Sequence, residues 1–290
     1  MTNAPRAAVL QFPGVNCEYE SARALEAAGA TASILRWNED PARLADFDLY
    51  LIPGGFSYQD RIRAGAVAAK EPVLDALFAQ AEAGKPVLGI CNGAQVLVEA
   101  GFVPGLAPGA VEIALAPNRM RGRSGYYSDW SHLRVAERTP SWLAPLAGDV
   151  LPLPFAHGEG RFTTRSETLF ADLAAAGQIA LRYAGPAGED AGGWPRNPNG
   201  SLLDAAALCN RAGNVLAIMP HPERAAWLGQ VPAMLEGAWG VRRRAADGDW
   251  PALRGPGPGH ALFAAMVDAA RGTRRGQTLK PMSGEERHAS

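Results

Sequence analysis

Cys91 stands near the end of the run Pro86–Gln95, P-V-L-G-I-C-N-G-A-Q, and its surroundings are those of a nucleophile. Val87, Leu88 and Ile90 are β-favouring and apolar, and Asn92-Gly93-Ala94 turns into the apolar-periodic run Gln95 to Glu99. The pattern predicts strand, tight elbow and helix, with a thiol at the apex. The G-x-C-x-G frame follows the logic of a nucleophile elbow, in which small residues allow a sharp turn and a helix starts under the reactive atom. The partial positive charge of a helix N-terminus favours thiolate over thiol. A free cysteine behind an apolar run is otherwise a buried space-filler, so the reading needs a base.

His221-Pro222-Glu223 offers both a base and a group to orient it. The proline predicts a stiff, extended segment that turns both side chains to similar sides. A surface turn bearing a histidine and a glutamate is the plain alternative. Pro53-Gly54-Gly55 is the third element. An oxyanion hole needs backbone N–H groups aimed at a developing negative oxygen; Gly54 and Gly55 permit that approach, and the N–H of Asn92 is the natural second donor. A strand-ending turn would use the same residues. Taken together, nucleophile, base, orienter and oxyanion hole imply acyl transfer from an amide or ester through a thioester.

The elements that must hold these groups are legible in the same way. Ala7–Phe12, Thr31–Trp37, Asp48–Ile52 and Pro86–Cys91 read as strands, with helices over Glu18–Ala28 and Pro72–Ala83 between them. Gly29 and Gly84 fall where helix C-caps belong. Strands apolar on both faces, alternating with helices, predict an α/β fold with a mostly parallel sheet covered by helices on both faces. In such sheets chemistry gathers at the carboxyl ends of the strands. From Phe102 to Gln178 the pattern is less regular; Ala110–Pro117, His132–Ala136 and Val150–Ala156 suggest strands of an antiparallel extension. Gln178–Tyr183 and Asn214–Met219 resume buried-strand character, the second running into His221. A single domain over 1–271 is expected, with an insertion at about 233–259, a final helix over His260–Ala270 and a mobile polar tail over 272–290. The basic run Arg242-Arg243-Arg244 reads as a solvated loop or helix face.

Composition narrows the function classes. A net charge of −1 gives no reason to expect nucleic acid or a membrane surface as partner. Cys17, Cys91 and Cys209 are an odd number at wide spacing, which argues against a disulfide framework and for a cytoplasmic location. No Cys/His pair has zinc-ligand spacing, so no metal site is expected. Asn199-Gly200-Ser201 matches a glycosylation sequon, which carries no meaning in the cytoplasm.

The motifs, in this order, resemble those of the triad-type (class I) glutamine amidotransferases, and within them the glutaminase-subunit branch of the phosphoribosylformylglycinamidine synthases. F-P-G-V-N-C at 12–17, P-G-G-F-S-Y-Q-D at 53–60, W-S-H-L-R-V at 130–135, A-H-G-E-G-R-F at 156–162, N-P-N-G-S at 197–201 and M-P-H-P-E-R at 219–224 carry the branch resemblance. It implies a flavodoxin-like amidotransferase fold, with Cys91 as nucleophile, His221 as general base and acid, and Glu223 as orienter. It further implies oxyanion N–H groups from Gly54, Gly55 and Asn92, and Gln95 near bound glutamine. No role follows for His157, Glu159 or Cys17. The chain has no Walker-type loop and no dinucleotide fingerprint. No cofactor is therefore expected on it, and the resemblance places ATP and Mg on a large synthetase subunit that receives the ammonia, bridged by a small third subunit. Two alternatives stay open: a glutaminase for a different ammonia-using synthetase, and a non-catalytic regulatory subunit. The chain departs from the branch at Gln59, where glycine is common, and at Ala94, where an aromatic is common.

Overall fold

The computed structural model describes residues 4–122 and 125–274. The first hundred residues alternate as expected: β1 (Arg6–Gln11), α1 (Glu18–Ala27), β2 (Thr31–Arg36), β3 (Leu49–Ile52), α2 (Val73–Glu82), β4 (Val87–Ile90) and α3 (Asn92–Glu99). Then follow β5 (Ala114–Ala116), β6 (Tyr127–Val135), β7 (Val150–His157), β8 (Arg161–Thr163), α4 (Leu169–Ala175), β9 (Ile179–Ala184), β10 (Ala205–Cys209) and β11 (Val215–Ile218). Helices α5 (Ala238–Ala245), α6 (Trp250–Leu253) and α7 (His260–Arg274) follow among the described residues.

One nine-stranded sheet runs in the order β2-β1-β3-β4-β11-β10-β9-β6-β7, while β5 and β8 pair separately. The pairs from β2 across to β11 are parallel. Those from β11 to β7 are antiparallel, so the extension is as wide as the parallel half. The chain moves one way from β1 to β2 through α1 and the other way from β3 to β4 through α2. Right-handed crossovers therefore place the two helices on opposite faces. That is why Ala7–Leu10, Leu49–Ile52 and Val87–Ile90 are buried without interruption.

The antiparallel half has a consequence for the centre of the sheet. β7 is an edge strand, and Pro152 and Pro154 sit where an edge tolerates them. Yet the Pro154 carbonyl accepts from His221 N at 2.7 Å, just past β11. The outermost strand thus bends back over the carboxyl ends of the central ones.

Several boundaries differ from the sequence reading. β10, A-A-A-L-C, is alanine-rich and has little strand propensity of its own; it is extended because it is paired on both sides, by β9 and β11. The segment 233–259 forms α5 and α6 over a small satellite core of Leu228, Val231 and Ala246. The basic run lies on α5, where Arg242 covers the Trp239 ring at 4.9 Å. The last helix continues past Ala270 to Arg274, because Arg271 and Arg274 complement its C-terminal dipole and bond Asp268 and Asp48 at 2.6 and 2.7 Å. Of the expected tail, 272–274 are therefore helical, and 275–290 lie outside the described residues.

Candidate active site

The elbow at Cys91 has φ 50° and ψ −103°, a left-handed conformation worth about 1–3 kcal/mol of strain for a residue with a side chain. The strain sits on the cysteine itself, and the flanking glycines serve close approach instead. A Cβ on Gly93 would lie 2.0 Å from the Ile52 carbonyl oxygen, and one on Gly89 would lie 2.5 Å from that of Gly93. Only glycines let α3 begin directly against β3 and β4. The Cys91 amide is tied to the end of β11 through the Ile218 carbonyl at 2.8 Å, and its thiol points to the Ala156 carbonyl at 3.6 Å.

His221 follows β11, and a 3-10 turn over Pro222–Ala225 starts immediately after it. The segment is not extended as expected, since proline at the first position of a helical turn has its φ preset. The orienting contact forms nonetheless: His221 Nδ1 and Glu223 Oε1 are 2.5 Å apart, both fully buried. Burial pulls the His221 pKa down, but the charges of Glu223 and then Cys91 outweigh it and hold it well above the ordinary imidazole value. That favours the protonated imidazole. His221 Nε2 has no hydrogen-bond partner among the described residues. Such catalytic contacts are often long without substrate and tighten on binding.

Gly54 and Gly55 lie in a loop clamped to residues 14–17: Gly54 O accepts from Asn16 N and Cys17 N at 3.2 and 3.3 Å, and Phe56 N donates to Gly14 O at 3.0 Å. Gly55 has φ 143°, and a Cβ there would lie 2.4 Å from Val15 Cα. The N–H groups of Gly55 and Asn92 donate to none of the described residues, as oxyanion donors require. The Asn92 side chain braces the arrangement, accepting from Ser57 N at 3.0 Å and donating to Asp60 and Gln95. Gln95 in turn donates to the Glu159 carbonyl at 2.7 Å. Both ends of its amide are thereby bonded within the protein. Asp60 has its pKa raised to about 6 by burial and by the Glu159 charge.

Glu159, for which no role could be read, joins this network through its carbonyl, as its neighbour His157 does through Asn118. His157 is completely buried, which pushes its pKa down to about 3, and its Nδ1 bonds the Asn118 side chain at 3.2 Å. Asn199 is buried in the same layer, donating to the Gly160 carbonyl at 2.8 Å, so the glycosylation sequon is inaccessible. Tyr126 and Phe56, both exposed, approach each other at 6.4 Å between ring centroids. Sequence reasoning missed Tyr126 and Asn118, which no local motif marks, and gave no role to the carbonyl of Ala156, which opens the A-H-G-E-G-R-F motif. Gln59 has φ 60°, a conformation that glycine adopts freely. Ala94 is fully buried in the first turn of α3.

Comparison with known proteins agrees with this geometry. Residues 4–265 match the family described as the CobB/CobQ-like glutamine amidotransferase domain. The chain is 42% identical over 269 residues to the phosphoribosylformylglycinamidine synthase subunit PurQ of Methanothrix thermoacetophila, covering 90% of this chain and 96% of that protein. It is 44% identical over 224 residues to PurQ of Thermomicrobium roseum, covering 76% and 87%. Among solved structures it resembles a chain of PurLQS from Thermotoga maritima, at 30% identity and TM-score 0.65, covering 91% of this chain and 98% of that one. The chain belongs to the PurQ family of glutamine amidotransferases.

Proposed function

We propose that this chain hydrolyses glutamine to glutamate and ammonia through a thioester on Cys91, and passes the ammonia to a synthetase that converts formylglycinamide ribonucleotide to formylglycinamidine ribonucleotide. The observation that carries the proposal is the convergence of a strained Cys91 elbow with a buried His221–Glu223 pair at the carboxyl ends of the central strands β4 and β11. Cys91 attacks the side-chain amide carbon. The oxygen's developing charge is held by the N–H groups of Gly55 and Asn92, with Gly54 shaping the loop. His221 gives its proton to the departing ammonia, then takes one from the water that releases glutamate, while Glu223 keeps the imidazole oriented.

ATP and Mg, on this reading, act on a large synthetase subunit, with a small subunit bridging the two. The names of the relatives support this assignment: phosphoribosylformylglycinamidine synthase subunits, and an assembly called PurLQS. Free, buried Cys17, Cys91 and Cys209 support a reducing, cytoplasmic setting. The test is covalent: a glutamine-like electrophile should label Cys91 stoichiometrically in the assembled complex, with glutamine protecting. Labelling at another residue, or none that glutamine prevents, refutes the mechanism. Copurification with a large ATP-binding subunit tests the choice of synthetase.

A further inference from the structure

Cys17 takes no part in the mechanism, yet it lies beside the base. One ligand atom from each of Cys17, His221 and Glu223 falls within 4.8 Å of the other two, and all three residues are buried. Glu223 Oε2 is buried without a hydrogen-bond partner among the described residues. Buried polar atoms left unpaired are uncommon and costly. Thiolate, imidazole and carboxylate together are the donor set of a borderline-soft divalent cation. We propose that Cys17, His221 and Glu223 form a binding site for Zn2+ or a cation of the same class, and that filling it silences glutamine hydrolysis. The silencing half rests on reading His221 and Glu223 as base and orienter.

The chemistry balances without an oxidant or a further reactant. Metal–sulfur and metal–nitrogen bonds replace the Cys17 S–H bond and one N–H bond of the protonated His221, and both protons leave to solvent. The thiolate and the Glu223 carboxylate then neutralise the dication, so the buried charge is compensated. The sulfur is already held in place: Arg224 Nη2 donates to it at 3.1 Å, and Glu20 balances Arg224 at 2.8 Å. Gly54 leaves room where the donors converge. A Cβ there would lie 2.7 Å from His221 Cε1 and 3.2 Å from Cys17 Sγ. Coordination takes an imidazole and its orienting carboxylate away from proton transfer. Spacing along the chain hides the site, because Cys17 and His221 belong to opposite ends of the sequence; hence no metal site was expected from it.

Cobalt is the probe that tells the two thiols apart, through its thiolate charge-transfer band in the near-ultraviolet. The full chain carrying Cys91→Ala should bind one cobalt with the band intact, whereas Cys17→Ser should lose the band. Zinc affinity, measured by equilibrium dialysis, should fall at least about tenfold in Cys17→Ser. Glu223→Gln, which keeps the shape but removes the anionic oxygen, should weaken zinc similarly and serves as the second variant if Cys17→Ser fails to fold. In the assembled complex, zinc should inhibit glutamine hydrolysis by the wild type, with at least about a tenfold weaker effect on Cys17→Ser. A cobalt band lost in Cys91→Ala but kept in Cys17→Ser puts the cation on the nucleophile and overturns the site. Zinc binding that depends on Cys17 but leaves hydrolysis untouched overturns the silencing and, with it, His221 as the base.

Discussion

The two halves of the sheet contribute to the candidate active site in different currencies. The parallel half, β2 to β11, delivers side chains and free amides: Cys91 after β4, His221 after β11, and Gly54 and Gly55 after β3. The antiparallel half delivers backbone carbonyls and buried supports, with Ala156 O facing the thiol, Pro154 O holding the His221 amide and Glu159 O holding Gln95. Parallel strands place their ends together by topology alone. An antiparallel edge reaches the same place only by bending back. Reactivity should therefore be lost through the first half, and geometry or stability tuned through the second.

The sharpest way to break this contrast is at the nucleophile. Cys91→Ala in the complex should reduce glutamine-dependent synthesis by about a thousandfold or more while ammonia-dependent synthesis survives. Steady-state rates with each nitrogen source decide it, and glutamine use at the wild-type rate would remove Cys91 from its role. Next in size, Gly93→Ala should destabilise the fold by about 3 kcal/mol, because its Cβ would meet the Ile52 carbonyl oxygen, a backbone atom of β3, at 2.0 Å. Urea unfolding reads this directly, and a change below about 1 kcal/mol would mean that the elbow packs more loosely than described.

In the antiparallel half, His157 tests support rather than chemistry. Its folded pKa of about 3 lies below the value near 6.5 that an unfolded histidine has. Between those values the unfolded state binds the proton and the folded state does not, so stability falls as pH drops from 6.5 toward 3. The slope from this group is about 1.4 kcal/mol per pH unit at most. His157→Gln should flatten the stability profile over that window by this amount, as denaturant titrations at several pH values would show. An unaltered slope would mean that His157 is protonated in the fold. The smallest effect is expected at Gln59. Gln59→Gly relieves a positive φ and should stabilise by less than about 1 kcal/mol, read as a small rise in Tm. A loss of stability there would give the Gln59 side chain a structural role that its backbone conformation hides.

Legibility followed the range of the interactions. G-I-C-N-G, P-G-G and H-P-E are local patterns whose chemistry depends on neighbours in sequence, so the candidate nucleophile, loop and base were readable. The alternation that predicts β1 to β4 is local too. β10 could not be read, because its alanines extend only between β9 and β11. The extended His-Pro-Glu expectation erred because proline suits the first position of a helical turn as readily as a strand.

By itself, the sequence determined which groups can do chemistry and at which strand ends they fall, since strand, turn and helix signals repeat over short windows. Tertiary structure alone decided how those ends meet. It brought the edge strand β7 back over the centre, moved the strain onto Cys91 instead of its glycines, and set Cys17 against His221 and Glu223. Each of these depends on contacts between residues far apart in the chain. Such contacts form only once the sheet has closed, and no short window of sequence records them.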